Sequence, residues 1–268
     1  SSKALGKLTA SNPTRLLKAL EILIDTLVVT DNSSHRHGIL LSIAEIILSI
    51  GLNSFELIKL NTEIKISIEL LERIWSLFSQ IESNVLYRGE KGEELIRVAA
   101  CYFIECTIRA VVHIPQSVQM CIIRILNENL TQQYERVQVI ASSALRHALY
   151  TFLLDADDKK IDDISLISTS IYCTWLEQTE SVVWSRGAAR ALGALPIQIF
   201  LTNSSLQHVL ALLDRACEPG TCIGEEQDFE TRRNAVYAIT DIGVRLVHWN
   251  ISANDKDDSS KDEGIKNE

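Results

Sequence analysis

The sequence predicts an all-α protein, a stack of about five helical hairpins, and three observations predict it. Only 11 Gly and 4 Pro occur in 268 residues, against roughly 12% for the two types together in ordinary proteins, so tight turns are scarce and helices are long. Apolar side chains recur at helical spacing in successive segments. One register also recurs inside the second helix of each pair: His37-Gly38-Ile39, Arg97-Val98-Ala99, Gln138-Val139-Ile140, Arg186-Gly187-Ala188 and Arg233-Asn234-Ala235, at intervals of 60, 41, 48 and 47 residues.

Pro13 sits where a first helical turn tolerates proline, because no amide hydrogen is needed there, and opens a helix over 13 to 30. Leu16, Leu17, Leu20, Leu23, Ile24 and Leu27 form its apolar stripe, and Leu40, Leu41, Ile43, Ala44, Ile47 and Leu48 do the same for its partner over 35 to 51. The second pair is 61 to 80 with 92 to 113, where Gly92 and the acidic Glu93-Glu94 suit a helix start. Pro115 opens the third pair, 115 to 130 with 134 to 154. The fourth is 161 to 178 with 181 to 199, and the fifth 203 to 217 with 228 to 249. The chain opens without Met on a near twin of Ala191-Leu192-Gly193-Ala194-Leu195, namely Ala4-Leu5-Gly6-Lys7-Leu8. Residues 1–10 are therefore expected to be the remnant of a truncated preceding repeat, and 1–251 to form one helical-repeat domain. Segment 252–268 has six acidic residues, three Lys and a single large apolar side chain, Ile265. That composition predicts an acidic disordered tail.

Repeats of this length, with a polar-small-Ala second helix, point to HEAT-type arrays, in which small residues let neighbouring helices approach closely. Such arrays place acidic and basic residues that bond across repeats. Arg186, six residues after Glu180, fits that ladder; Arg97 and Arg233 hold the matching position without the matching acid, which shifts weight toward a partner-facing role, and Arg97, Arg186 and Arg233 are together the inner-helix candidates for partner binding. The connection from 81 to 91 exceeds the usual two to eight residues between helices and carries Leu86, Tyr87 and Arg88 together. These three are either contact anchors for a partner or cover for the end of the adjacent repeat. Trp75, Trp175 and Trp184 fall on apolar faces and are expected in the core, with Trp249 either a cap or an exposed anchor.

A net charge of −9 disfavours a phosphate backbone as partner, so no nucleic acid is expected. The apolar run 39 to 51 is too short to span a bilayer and contains Glu45, so no membrane span is expected. Cysteines at 101, 106, 121, 173, 217 and 222 form no C-x-x-C pair, which leaves reduced thiols in an intracellular chain as the default and Cys217 with Cys222 as the one plausible oxidised pair. His35 and His37 have no helically spaced third ligand, phosphate-loop patterns are missing, and no Ser lies in a G-x-S-x-G elbow. No catalytic residue, metal or cofactor is expected.

Four ordered motifs are more specific: His35-Arg36-His37-Gly38 with Ala44-Glu45, Leu86-Tyr87-Arg88-Gly89 followed by Gly92, Ala191-Leu192-Gly193-Ala194-Leu195-Pro196, and Glu230-Thr231-Arg232-Arg233. Together they resemble the C-terminal helical-repeat region of the tubulin-folding cofactor D family, over about Ala4 to Val247, with the greatest divergence at Asp155 to Leu176. The resemblance implies a non-enzymatic cytoplasmic chaperone of the microtubule cytoskeleton. It would hold β-tubulin, join cofactor E, cofactor C and an Arf-like small GTPase, and assemble or dismantle the α/β-tubulin dimer, with a GTPase-activator contribution inside that complex. The alternative is a HEAT-repeat adaptor for transport or phosphatase assembly.

Overall fold

A computed structural model describes residues 13–59, 67–83, 86, 92–110, 114–154, 169–177, 181–202, 205–218 and 228–262. Every regular element among them is helical, as expected, and no strand occurs among the described residues. The helices are α1 (Pro13–Val29), α2 (Ser33–Lys59), α3 (Ile68–Glu82), α4 (Glu93–Arg109), α5 (Gln116–Leu130) and α6 (Glu135–Leu154). There follow α7 (helical over 169–177), α8 (Val182–Ala194), α9 (Ile197–Thr202), α10 (Leu206–Cys217) and α11 (Phe229–Asp262). One domain over 1–251 was the expectation, whereas contacts divide the chain into two compact units, Ser1–Asp155 and Ala156–Glu268. The sequence after the boundary, Ala156-Asp157-Asp158-Lys159-Lys160-Ile161-Asp162-Asp163, has no apolar stripe with which to continue a core.

In the first unit, α2, α4 and α6 pack side by side in one row, and α1, α3 and α5 make the second row, with α1 on α2 and α5 on α6. Burial follows the periodicity: Leu16, Leu20, Ile24 and Leu27 on α1, and Leu70, Ile74, Leu77, Phe78 and Ile81 on α3. The middle helix of its row, α4, is buried on almost every face from Ile96 to Ile108, because α2 and α6 cover opposite sides. Phe78 and Phe103 stack at 5.0 Å between ring centres and tie α3 to α4. Ser67 caps α3 by accepting the Leu70 amide at 3.1 Å.

The second unit centres on α11, which packs against α8, α9 and α10. Here a small residue proves necessary. A Cβ placed on Gly193 of α8 would lie 2.8 Å from Ala238 Cα and 2.9 Å from its Cβ. The helix expected over 181 to 199 is broken, α8 ending at Ala194 and α9 starting at Ile197. Leu195 precedes Pro196, whose ring disfavours the α conformation at the residue before it, and Leu195 is accordingly extended at φ −61°, ψ 136°. Arg245 of α11 then donates to the carbonyls of Gly193 and Leu195, satisfying acceptors that the break leaves open.

Two further expectations change. Helix α11 continues to Asp262, well into the segment expected to be a disordered tail. Low apolar content argues against core burial but does not stop a helix whose nucleus already exists, since each further residue then gains one hydrogen bond. Trp184, expected in the core, is 41% exposed, because α8 turns Ser185, Ala188, Ala189 and Leu192 inward instead. It lies against Trp175 at 5.8 Å between ring centres. Trp249 is exposed as well.

Gly243 on α11 has nothing within 4 Å of where a Cβ would sit. Gly243→Ala should therefore stabilise the second unit by about 0.5–1 kcal/mol, by restricting the unfolded chain. A urea unfolding curve shifted to lower midpoint would show that this position needs glycine.

Candidate functional site

The recurring polar register places one polar side chain in the first turns of each second helix; on α2 the buried residue is Arg36, one before the register residue His37. Arg36 on α2 is buried; its Nε donates to Thr30 O at 2.5 Å and its Nη1 to Leu86 O at 3.3 Å, with Asp31 at 3.6 Å. Arg97 on α4 is 5% exposed. Its guanidinium donates to Glu93 Oε1 at 2.8 Å, Glu128 Oε1 at 3.1 Å and Asn129 Oδ1 at 3.2 Å, joining the start of α4 to the end of α5. Gln138 on α6 is buried and donates to Gln132 O at 2.9 Å.

In the second unit, Arg186 of α8 donates through Nε to Asp228 Oδ1 at 2.9 Å and pairs through Nη1 with Glu230 at 2.9 Å. Asn234 Nδ2 returns a hydrogen bond to Arg186 O at 3.3 Å. Asp228 also accepts the Thr231 amide at 3.2 Å and the Thr231 hydroxyl, so it caps α11 while it anchors Arg186. Burial alone would raise the Asp228 pKa. The hydrogen bonds from Arg186 and Thr231, with the Arg186 charge, outweigh that and hold it below the ordinary carboxylate value.

Arg97 is thus corrected from a partner-facing residue to a buried joint. Its acids stand four residues before it and at the end of the following first helix, not six residues before it. Arg186 pairs with acids from the α11 start, Asp228 and Glu230; Glu180, the acid expected for its ladder, lies outside the described residues. Leu86 is 2% exposed and its carbonyl receives Arg36, so it is a buried residue and no contact anchor. Tyr87 and Arg88 lie outside the described residues, as does Cys222. Arg233, half-buried at the start of α11, lines a groove with Arg232, Cys217, Phe229, Val236 and Tyr237.

A second polar band crosses the row of α2, α4 and α6. Tyr102 Oη donates to Glu45 Oε1 at 2.6 Å, and Glu105 meets Arg109 at 3.5 Å and His147 at 3.8 Å. Burial pushes the thiols of Cys101, Cys106 and Cys121 up to about 12, so at neutral pH they are protonated. His37 is held below its ordinary value by burial and by the Arg136 charge. Among the described residues no group of three or more His, Cys, Asp or Glu is placed to hold a metal, and no helix is long and apolar enough to cross a membrane.

Asp228→Asn keeps an acceptor for the cap but removes the charge, and should cost about 1–2 kcal/mol at pH 7. Because the folded pKa is depressed, the stabilisation by charge is full above the ordinary carboxylate range and is lost as pH falls through the folded value. The difference between wild type and variant, followed by urea midpoints from pH 7 downward, should therefore shrink with acid. A gap that stays constant would mean that the charge contributes nothing.

No protein-family model, curated protein or solved structure matches the chain.

Proposed function

We propose that the chain is a non-catalytic binding scaffold of the tubulin-folding cofactor D kind, with its helix pairs stacked as HEAT-type repeats. The reading is supported by the four ordered motifs, and one structural observation gives them physical meaning. Motif residues sit at the joints between helix pairs: Arg36 of the first motif binds the carbonyl of Leu86 in the second, and Glu230 of the fourth pairs with Arg186. Gly193 of the third abuts Ala238. Such joints hold a row of helices in register and leave an extended surface for a large partner, which needs no chemistry to grip it. On this reading the chain works in the cytoplasm on the α/β-tubulin dimer, with cofactor E, cofactor C and an Arf-like small GTPase as further partners. A GTPase-activator contribution belongs to the complex.

Tyr87 and Arg88 remain the contact pair of this proposal, since Tyr presents rigid area and Arg a planar fork suited to acidic surfaces. Replacing both with Ala should weaken binding of purified α/β-tubulin about thirtyfold, the equivalent of ~2 kcal/mol, with an unchanged circular dichroism spectrum. Unchanged tubulin affinity in a folded double variant would remove the pair from the site.

A further inference from the structure

We propose that residues 4–8 dock as the end of a helix in the groove between α1 and α2, with Gly6 seated against Ser42. The inference rests on the internal repeat of the second helices and not on the tubulin reading, and its test uses no tubulin. The register that aligns His37 of α2 with Arg233 of α11 aligns their caps as well: Asn32 accepts the His35 amide at 3.1 Å, and Asp228 accepts the Thr231 amide at 3.2 Å. Five residues past the register residue, a second helix faces the second helix of the preceding pair. On α11 that residue is Ala238, against Gly193 of α8; on α4 it is Tyr102, which donates to Glu45 of α2 at 2.6 Å. On α2 it is Ser42. One turn earlier, Asn234 of α11 donates to Arg186 O of α8 at 3.3 Å, and its counterpart on α2 is Gly38.

Gly38 and Ser42 border an open groove of about 690 Å³, with Ile39 beside them and Leu23, Thr26 and Thr30 of α1 opposite. Among the described residues nothing lies within 4 Å of a Cβ placed on Gly38. At about 100° per residue, Leu23, Thr26 and Thr30 lie roughly 100–160° around α1 from Asp25, which pairs with Arg73 of α3 at 2.5 Å. The groove is therefore on the side of the pair away from α3, where a preceding pair would stack. The sequence supplies the occupant. Ala4-Leu5-Gly6-Lys7-Leu8 repeats the pattern of Ala191-Leu192-Gly193-Ala194-Leu195, in which Ala191, Leu192 and Leu195 are buried and Gly193 meets the following second helix. Residues 1–12 lie outside the described residues. From Leu8 to the α1 start at Pro13 the chain can span up to about 17 Å, more than the roughly 8–10 Å between packed helix axes, so the segment can reach the groove. Docked there, Gly6 would let the backbone close on Ser42 as Gly193 does on Ala238, and the leucines would bury apolar area against Leu23 and Ile39.

Hydrogen exchange of the full chain, read by mass spectrometry, tests this seat. A helix end this short is marginal in water by itself, so residues 4–8 should exchange within about twofold of the unstructured rate unless they are packed. Docking predicts exchange at least about tenfold slower than that rate. The protection should be lost in Gly6→Leu, which blocks the close approach, and in Gly38→Phe, which fills the groove, while α4 and α5 keep theirs. Should Gly38→Phe not fold, the wild-type chain and Gly6→Leu decide. Wild-type exchange at the unstructured rate, or protection that survives either substitution in a folded chain, would overturn the proposal. So would protection that disappears on dilution together with a dimer in sedimentation velocity, because the groove would then hold the segment of a second copy of this chain.

Discussion

Gly193→Leu should destabilise the second unit by about 3 kcal/mol or more, the largest effect of any single substitution considered. Overpacking a well-filled core typically costs about 1–3 kcal/mol when neighbouring side chains can shift. Here the first obstacle is backbone, since the added Cβ would sit 2.8 Å from Ala238 Cα, and the remaining carbons have nowhere else to go. The helices α8 and α11 would have to separate, which would also pull Arg245 from the carbonyls of Gly193 and Leu195. Hydrogen exchange should locate the loss, with protection falling in α8 and α11 while α2 and α4 keep theirs. A urea midpoint near wild type would mean that the two helices are not in intimate contact.

Arg97→Ala should cost the first unit about 2 kcal/mol. Arg97 is 5% exposed and its guanidinium serves Glu93, Glu128 and Asn129 on two helices, so its removal cuts these bonds between α4 and α5 at one stroke. Glu93 and Glu128 keep side-chain exposures of 46% and 37%, and water can resolvate them. That holds the loss below the value for a fully buried pair. Arg97→Lys keeps the charge but not the fork, and should recover less than half of the loss. A double-mutant cycle with Glu128→Ala, read by denaturant unfolding, should give a coupling of roughly 0.5–1 kcal/mol. Additive effects would show that the two residues are neighbours without being linked.

Local pattern was enough to place most of the helices. The stripes at Leu16, Leu20, Ile24 and Leu27 and at Leu40, Ile43, Ala44 and Ile47 are buried as their spacing demands. The break at Pro196 was also legible, because proline acts on the residue before it, although the apolar run through Ile197 and Phe200 masks the stop. The joints were harder. Arg97 meets Glu128 and Asn129, and Arg186 meets Asp228 and Glu230, partners set by how one helix lies on another and not by any fixed spacing. A search for acids at the ends of following first helices and at the starts of following second helices would have found Glu128 and Asp228. Trp184 shows the other limit: an apolar side chain at the rim of a stripe lies tilted against Trp175 and is still exposed, because periodicity gives a direction and not a depth. The fate of 252 to 262 was misjudged for a related reason, since composition speaks to burial and helix continuation depends on what precedes the segment.

Sedimentation velocity of labelled α/β-tubulin, titrated with the unlabelled chain, tests the proposed scaffold most directly. Tubulin binding predicts a faster-sedimenting boundary that grows with added chain and retreats when Tyr87 and Arg88 are replaced. Tubulin that sediments unchanged across the titration, beside a chain shown by circular dichroism to be folded, would contradict it.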